Sequence, residues 1–210
     1  FDEVVDAMSE HGMQALYSVT FTPSYALKPA YQGKPQPSRK PPRSDALRGA
    51  LETIVAHNRD KGITIYDLWN EPDHRGFWHG STNEYLEFMR VAYETIKRVD
   101  PDATVLSGGI ASLHKTRSDG RNPDMDRRMV LDGSKSYDAI SLHEHGTFDR
   151  FADALDRPLS ELRAELDSDK GLWFTETGHS GNGHDKTIVL VQKYTFARQH
   201  GAEGLLWFAF

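Results

Sequence analysis

The sequence predicts an α/β fold in which strands alternate with helices around one parallel sheet. Three observations predict it. Short apolar, β-branched and aromatic runs take turns with stretches of helical apolar spacing along the whole chain. Two of the strand-like runs end on a glutamate and then break, one at Pro72 and one at Gly178. The chain has 210 residues, 38% of them hydrophobic, enough for one domain with a real core.

Residues 1–11 place Val4, Val5 and Met8 on one helical face, and Gly12 is positioned to end that helix. Residues 13–20 read as a buried strand. Residues 28–43 carry five Pro and five basic residues with no acid, the composition of a loop, in part polyproline-like. Such a loop is either a solvated connection or a wall of a cleft. Ser44-Asp45 opens a helix over 45–61, with Leu47, Leu51 and Val55 inward, and Gly62 ends it. The strand Ile63-Thr64-Ile65-Tyr66 follows. Asn83 reads as the N-cap of a helix over 84–99 that buries Tyr85, Phe88 and Ile96, and Asp100-Pro101 stops it. Residues 103–107 form the next strand, closed by Gly108-Gly109. A charged loop over 114–127 leads into a short helix at 125–134 and a strand over 137–143. A helix over 149–169, a strand over 172–177, a helix over 185–200 and a strand over 204–210 complete the pattern. No internal boundary shows, so residues 1–210 read as a single domain.

The stretch with the most chemistry is Asp67-Leu68-Trp69-Asn70-Glu71-Pro72-Asp73. The second is Leu172-Trp173-Phe174-Thr175-Glu176-Thr177-Gly178. Two strand-end glutamates on one chain suggest a pair of catalytic carboxyls. With these motifs in this order the chain resembles clan A, the retaining glycoside hydrolases built on the (β/α)8 TIM barrel. In that clan a Trp-Asn-Glu-Pro motif ends the fourth strand and carries the acid/base. A Thr-Glu-Thr-Gly-like motif ends the seventh strand and carries the nucleophile. The form of the motifs is closest to the xylosidase, iduronidase and cellulase-like families.

The resemblance implies that strands three to eight of a barrel are present and that the barrel is incomplete. A full barrel takes roughly 250 residues. Phe1 falls within a helical pattern and Phe210 within a strand pattern, so the expectation is a piece of one glycoside hydrolase catalytic domain. By resemblance Glu71 is the acid/base, Glu176 the nucleophile, and Asn70 the partner of the sugar 2-hydroxyl. On a regular strand Asn70 and Glu71 point to opposite faces, so an irregularity is expected beside Pro72. Trp69, Phe77 and Trp78 are expected to supply a less polar setting for Glu71. The clan often carries a His-x-Tyr pattern after its sixth strand; here the residues are His143-Glu144-His145. With the Tyr replaced, His145 or His143 is expected to donate to Glu176. Trp207 is expected as the floor of a sugar subsite and Trp78 as part of another. The implied activity is retaining hydrolysis of β-linked glycosides through a covalent intermediate, which needs no metal or cofactor.

Two other readings stay open. His143-x-His145 has the spacing of a metal pair on a strand, and with His179 or His184 it would serve a metal-dependent TIM-barrel hydrolase. A carbohydrate-binding barrel without catalysis is the other. The partner expected in each barrel reading is a carbohydrate. A net charge of −6 gives no electrostatic footprint for nucleic acid or anionic membrane, and there is no apolar run of spanning length. There is no cysteine, so the secreted and cytoplasmic compartments both remain open.

Overall fold

The computed structural model describes residues 1–113, 122, 124–166 and 169–208. Six parallel strands pair strictly in chain order: β1 (Leu16–Val19), β2 (Ile65–Leu68), β3 (Thr104–Leu106), β4 (Ala139–Leu142), β5 (Gly171–Thr177) and β6 (Ala202–Trp207). Helices fill the crossovers: α2 (Ser44–Asp60), α3 (Thr82–Val99), α4 (Met125–Leu131), the pair α5 (Phe148–Ala154) and α6 (Ser160–Ala164), and α7 (Gly183–Gln199). The helix α1 (Asp2–Glu10) precedes β1. The chain thus has the architecture of an incomplete (β/α)8 barrel.

The strands have two different faces. Tyr66, Leu68, Val105, Ile140, Leu142, Leu172 and Phe174 pack outward into one large core with the helices. Ile65, Leu106 and Ala139, flanked by Leu16 and Trp173, form a smaller cluster on the opposite, inner face. Above it on β2, β4 and β5 the same face carries Asp67, Ser141 and Thr175, which hydrogen-bond in a row. Beyond that row lie Glu71, His143 and Glu176. The inner face therefore grades from apolar floor through a hydroxyl layer to a charged rim at the C-terminal strand ends.

Several boundaries differ from the sequence expectation for clear reasons. α3 starts at Thr82, because Ser81 is its N-cap and Asn83 lies inside the first turn. Ser81 Oγ accepts from Glu84 N while the Glu84 carboxylate accepts from Ser81 N, a reciprocal capping box. The helix expected over 149–169 is divided by a wide turn at Leu155–Leu159, where Pro158 cannot donate to the helical ladder. The Pro-rich loop is tied down. Lys28 and Tyr31 bond Glu87 and Glu84 of α3, and Arg39 O accepts from His79 N. It folds as short 3-10 turns against the first half of α3. The expected helix end at 167–168 and strand end at Ala209 and Phe210, and the charged loop at 114–121 and 123, with His114 and Asp119, lie outside the described residues.

Candidate active site

The site is built where two strands lose their regularity. After β2 the backbone turns left-handed at Trp69 (φ 80°) and again at Glu71 (φ 43°), on either side of Asn70. Neither residue is a glycine, and each such conformation costs on the order of 1–3 kcal/mol. Counted from the inward Asp67, alternation alone would turn Glu71 inward and Asn70 outward, so this is the irregularity expected if Asn70 is to share the rim with Glu71. Asn70 stays in register by bridging Gly109 beyond β3, and Gly109 N donates to Trp69 O at 3.2 Å. On β5 the pairing with β6 shifts between Phe174 and Thr177. Thr175 is on the inner face, so Glu176 next to it would point outward on a regular strand. The shift coincides with Glu176 reaching the inner rim instead.

His143 stands between the two carboxyls. Its Nδ1 lies 3.4 Å from Glu71 Oε1 and 3.8 Å from Glu176 Oε2. Those two oxygens are therefore no more than about 7 Å apart, against ~5–5.5 Å for a retaining pair and ~6.5–9.5 Å for an inverting one. His145 Nε2 lies 3.2 Å from the other oxygen, Glu176 Oε1. His143 is almost wholly buried, with both glutamates partly open to solvent. Burial disfavours the His143 cation, but the bond to Glu71 and the charges of Asp67, Glu176 and Glu71 outweigh it and raise its pKa. The His145 bond, against some burial and helped by the charge of His143, holds the Glu176 carboxyl below its ordinary range.

Below the rim, His143 Nε2 lies 3.0 Å from Thr175 Oγ1, which lies 2.6 Å from Ser141 Oγ. Ser141 Oγ donates to Asp67 Oδ2 at 3.0 Å, and Gly108 N donates to Asp67 Oδ1 at 3.1 Å. Asp67 is buried, which pushes its carboxyl up despite those donors and the charge of His143. The pair Gly108-Gly109 makes the packing feasible. A Cβ on Gly109 would sit 2.0 Å from His143 Nε2. One on Gly108, where φ is +95°, would sit 2.1 Å from both Leu68 O and Tyr85 Oη.

Behind the rim, Lys193 of α7 is fully buried. Its ammonium donates to Glu144 O, Thr177 Oγ1 and Gly178 O at 3.0, 3.1 and 3.1 Å. It thereby ties the residues flanking His145 and Glu176 to the helix. Burial, helped by Arg150 and opposed by Glu144, lowers its pKa to about 8.

Glu71, Glu176, His143 and His145 thus converge on one rim, with Asn70 at its edge. The two tryptophans do not join them. Trp78 is 3% exposed and packs on Trp69, Tyr85 and Phe88, with its N–H on Ser81 O. Its ring has no free face for a sugar. Trp69 is spent in the same cluster, its N–H on Phe77 O, so these rings pack the helix layer and do not form a cover for Glu71. Trp207 pairs with Thr177, which faces α7, and its ring centroid lies 5.9 Å from Lys193 Nζ. It is turned toward the helix side. Alternation instead brings Phe208 inward, edge-on to His145 at 6.1 Å. Phe208, Thr175, Ser141 and Asp67 were missed from sequence, although strand parity counted from His143 marks Ser141. Among the described residues no three His, Asp or Glu side chains are grouped to hold a metal.

Residues 62–155 match the family model described as "Glycosyl hydrolases family 39". The chain is 27% identical over 157 residues to a beta-xylosidase of Caldicellulosiruptor saccharolyticus, covering 70% of this chain and 30% of that one. It superposes on a monomeric beta-xylosidase from Caulobacter crescentus CB15 with a TM-score of 0.76 at 19% identity, over 100% of this chain and 48% of that one. Xylanase 10B from Thermotoga maritima gives a TM-score of 0.65 at 16% identity, over 100% and 66%. The chain shares the barrel fold of these solved structures. The chain spans less than half the length of the xylosidases it matches. The family 39 match takes in Glu71, His143 and His145 and stops short of Glu176.

Proposed function

We propose that the chain carries the catalytic rim of a retaining glycoside hydrolase, with Glu71 as acid/base and Glu176 as nucleophile. The observation that supports this most directly is the sharing of one imidazole nitrogen by both carboxyls, at 3.4 and 3.8 Å. That spacing is compatible with two carboxyls flanking a glycosidic bond held between them. The depressed Glu176 carboxyl suits a nucleophile that must stay ionised. In the first step Glu71 gives its proton to the leaving oxygen as Glu176 attacks the anomeric carbon. In the second Glu71 takes a proton from water, which displaces the Glu176 ester. His145 and His143 fix the Glu176 carboxylate in line. Asn70, on the turned segment beside Glu71, takes the sugar 2-hydroxyl. The likeness to proteins named as beta-xylosidases makes β-linked xylosides the first substrates to try, with glucosides and mannosides as comparators.

The experiment is chemical rescue in the full-length protein. Glu71→Ala should still form a glycosyl-enzyme from aryl xylosides with good leaving groups, which need little protonation. Azide needs no base and should restore its turnover as the β-glycosyl azide. Glu176→Ala should lose turnover, with azide restoring little of the β product. An α-glycosyl azide from Glu71→Ala would reverse the two roles. Full activity in either variant would remove that residue from the mechanism.

A further inference from the structure

Thr175 and Ser141 connect His143 to the buried carboxyl of Asp67. Contacts of 3.0, 2.6 and 3.0 Å run without a gap from the imidazole to the floor of the hydroxyl layer. Each intermediate is a hydroxyl, which accepts one proton and gives one. Asp67 is buried, with Gly108 N–H on its second oxygen and the Thr175 hydroxyl also bonded to its carboxyl. We propose that Asp67 is a buried proton depot for the rim, exchanging one proton with His143 through the Thr175 and Ser141 hydroxyls.

The transfer balances within the chain. With Asp67 ionised, His143 Nε2–H donates to Thr175, Thr175 to Ser141, and Ser141 to Asp67. When all three protons move one step, an O–H bond forms on Asp67 from the Ser141 proton. Ser141 takes the Thr175 proton, and Thr175 takes the one leaving His143 Nε2. The imidazolium becomes neutral and the carboxylate becomes an acid. Nδ1 keeps its proton toward the glutamates, and no proton enters or leaves the protein.

The groups facing this chain set its direction. Glu71 after β2 and Glu176 on β5 face His143. His143 faces Asp67 from just beyond β4, and the buried Tyr85 phenol of α3, bonded to Leu68 O and Ser107 O, feels the Asp67 charge. His145 balances Glu176 from the far side. Asp73 is held by Ala111 N–H at 2.9 Å, away from the chain. The depot's use rests on the retaining reading. Forming the glycosyl ester removes the negative charge of Glu176. The His143 cation is then left with one anion fewer, and its Nε2 proton moves down to Asp67. Hydrolysis restores the carboxylate and draws the proton back.

The test is a pH titration of the His143 ring nitrogens by NMR in full-length protein carrying ¹⁵N-histidine. Asp67→Asn and Thr175→Val should each lower the His143 midpoint by about one pH unit, the first by removing the charge at the end of the relay and the second by removing the acceptor of the Nε2 proton. The double variant should fall no further than either single. Thr175→Ser restores the hydroxyl and should restore the midpoint. Ser141→Ala breaks the same chain one step deeper and serves if Thr175→Val fails to fold. A His143 midpoint unmoved in Asp67→Asn, or in both hydroxyl deletions, overturns the depot. A parallel stopped-flow experiment looks for a burst of leaving group from an aryl xyloside, which Thr175→Val should follow with a roughly tenfold slower second step. Shifted midpoints with a product of inverted anomeric configuration would remove the covalent intermediate and leave the depot as a device for setting His143. A burst with unmoved midpoints would remove the depot alone.

Discussion

Gly109 has no room for a methyl group. A Cβ there would fall 2.0 Å from His143 Nε2, so the imidazole that both carboxyls share would have to leave its place. Gly109→Ala is expected to lower kcat/KM by about a hundredfold, since a displacement of about 1 Å at reacting groups has that effect. Gly183→Ala, with nothing within 4 Å of the added carbon, should leave kcat/KM unchanged. The raised pKa of His143 also has a sign that can be checked. A group whose folded pKa lies above its unfolded value stabilises fully below the unfolded value, about 6.5 for histidine. That contribution fades as pH rises through the folded value. Unfolding free energies of wild type and His143→Gln should therefore differ most below about pH 6.5. A gap that widens toward alkaline pH would contradict the charge arrangement.

At the scale of elements, α3 depends on how it begins. Its capping box satisfies two backbone donors, and the same Glu84 carboxylate accepts from the Tyr31 hydroxyl of the Pro-rich loop. Ser81→Ala should cost about 1 kcal/mol in chemical denaturation. Loss of well under ~0.3 kcal/mol would mean the loop holds the helix start alone. Sequence reasoning placed this helix within two residues but chose Asn83 as its cap, because both residues are good caps and only the Ser81–Glu84 spacing distinguishes them. Strand order and the break beside Pro72 were legible through the resemblance, which assigns both Asn70 and Glu71 to the site while alternation separates them. The aromatic residues were less legible. Trp78 and Trp207 are large enough for either a sugar or a core, and only their neighbours decide. The β5 register shift that accompanies the inward turn of Glu176 leaves no mark in residue type.

Across the whole molecule, the sheet runs from β1 to β6, and each end strand is paired on one side. Apolar side chains lie open near both ends. Val4 and Met13 are exposed before β1, and Ile188, Val191 and Tyr194 line α7 beside Leu206 and Phe208 of the β6 end. A cavity of about 270 Å³ between β1 and α2 is lined by Tyr17, Val19, Leu51 and Trp69. Unpaired strand edges next to exposed apolar surface favour pairing with other chains. The 210-residue chain expressed by itself should therefore associate, giving multimers by light scattering that grow with concentration. A monomer with a single sharp melt would refute this. The Glu71–His143–Glu176 cluster draws on β2, β4 and β5, none of them an edge strand.

Lys193 gives the rim and the fold opposite responses to base. Its ammonium has three protons and three acceptors, so losing one proton near pH 8 releases one of its tethers to Glu144, Thr177 and Gly178. Those tethers brace the backbone on either side of the histidine and glutamate that face each other. In the unfolded chain the same amine keeps its proton until about pH 10.4. Between those values the unfolded state binds more protons, so this group's contribution to stability rises with pH. Turnover should therefore decline through pH 8 while resistance to denaturant owed to this site increases. In Lys193→Met both trends should vanish together, which ordinary alkaline unfolding would not produce.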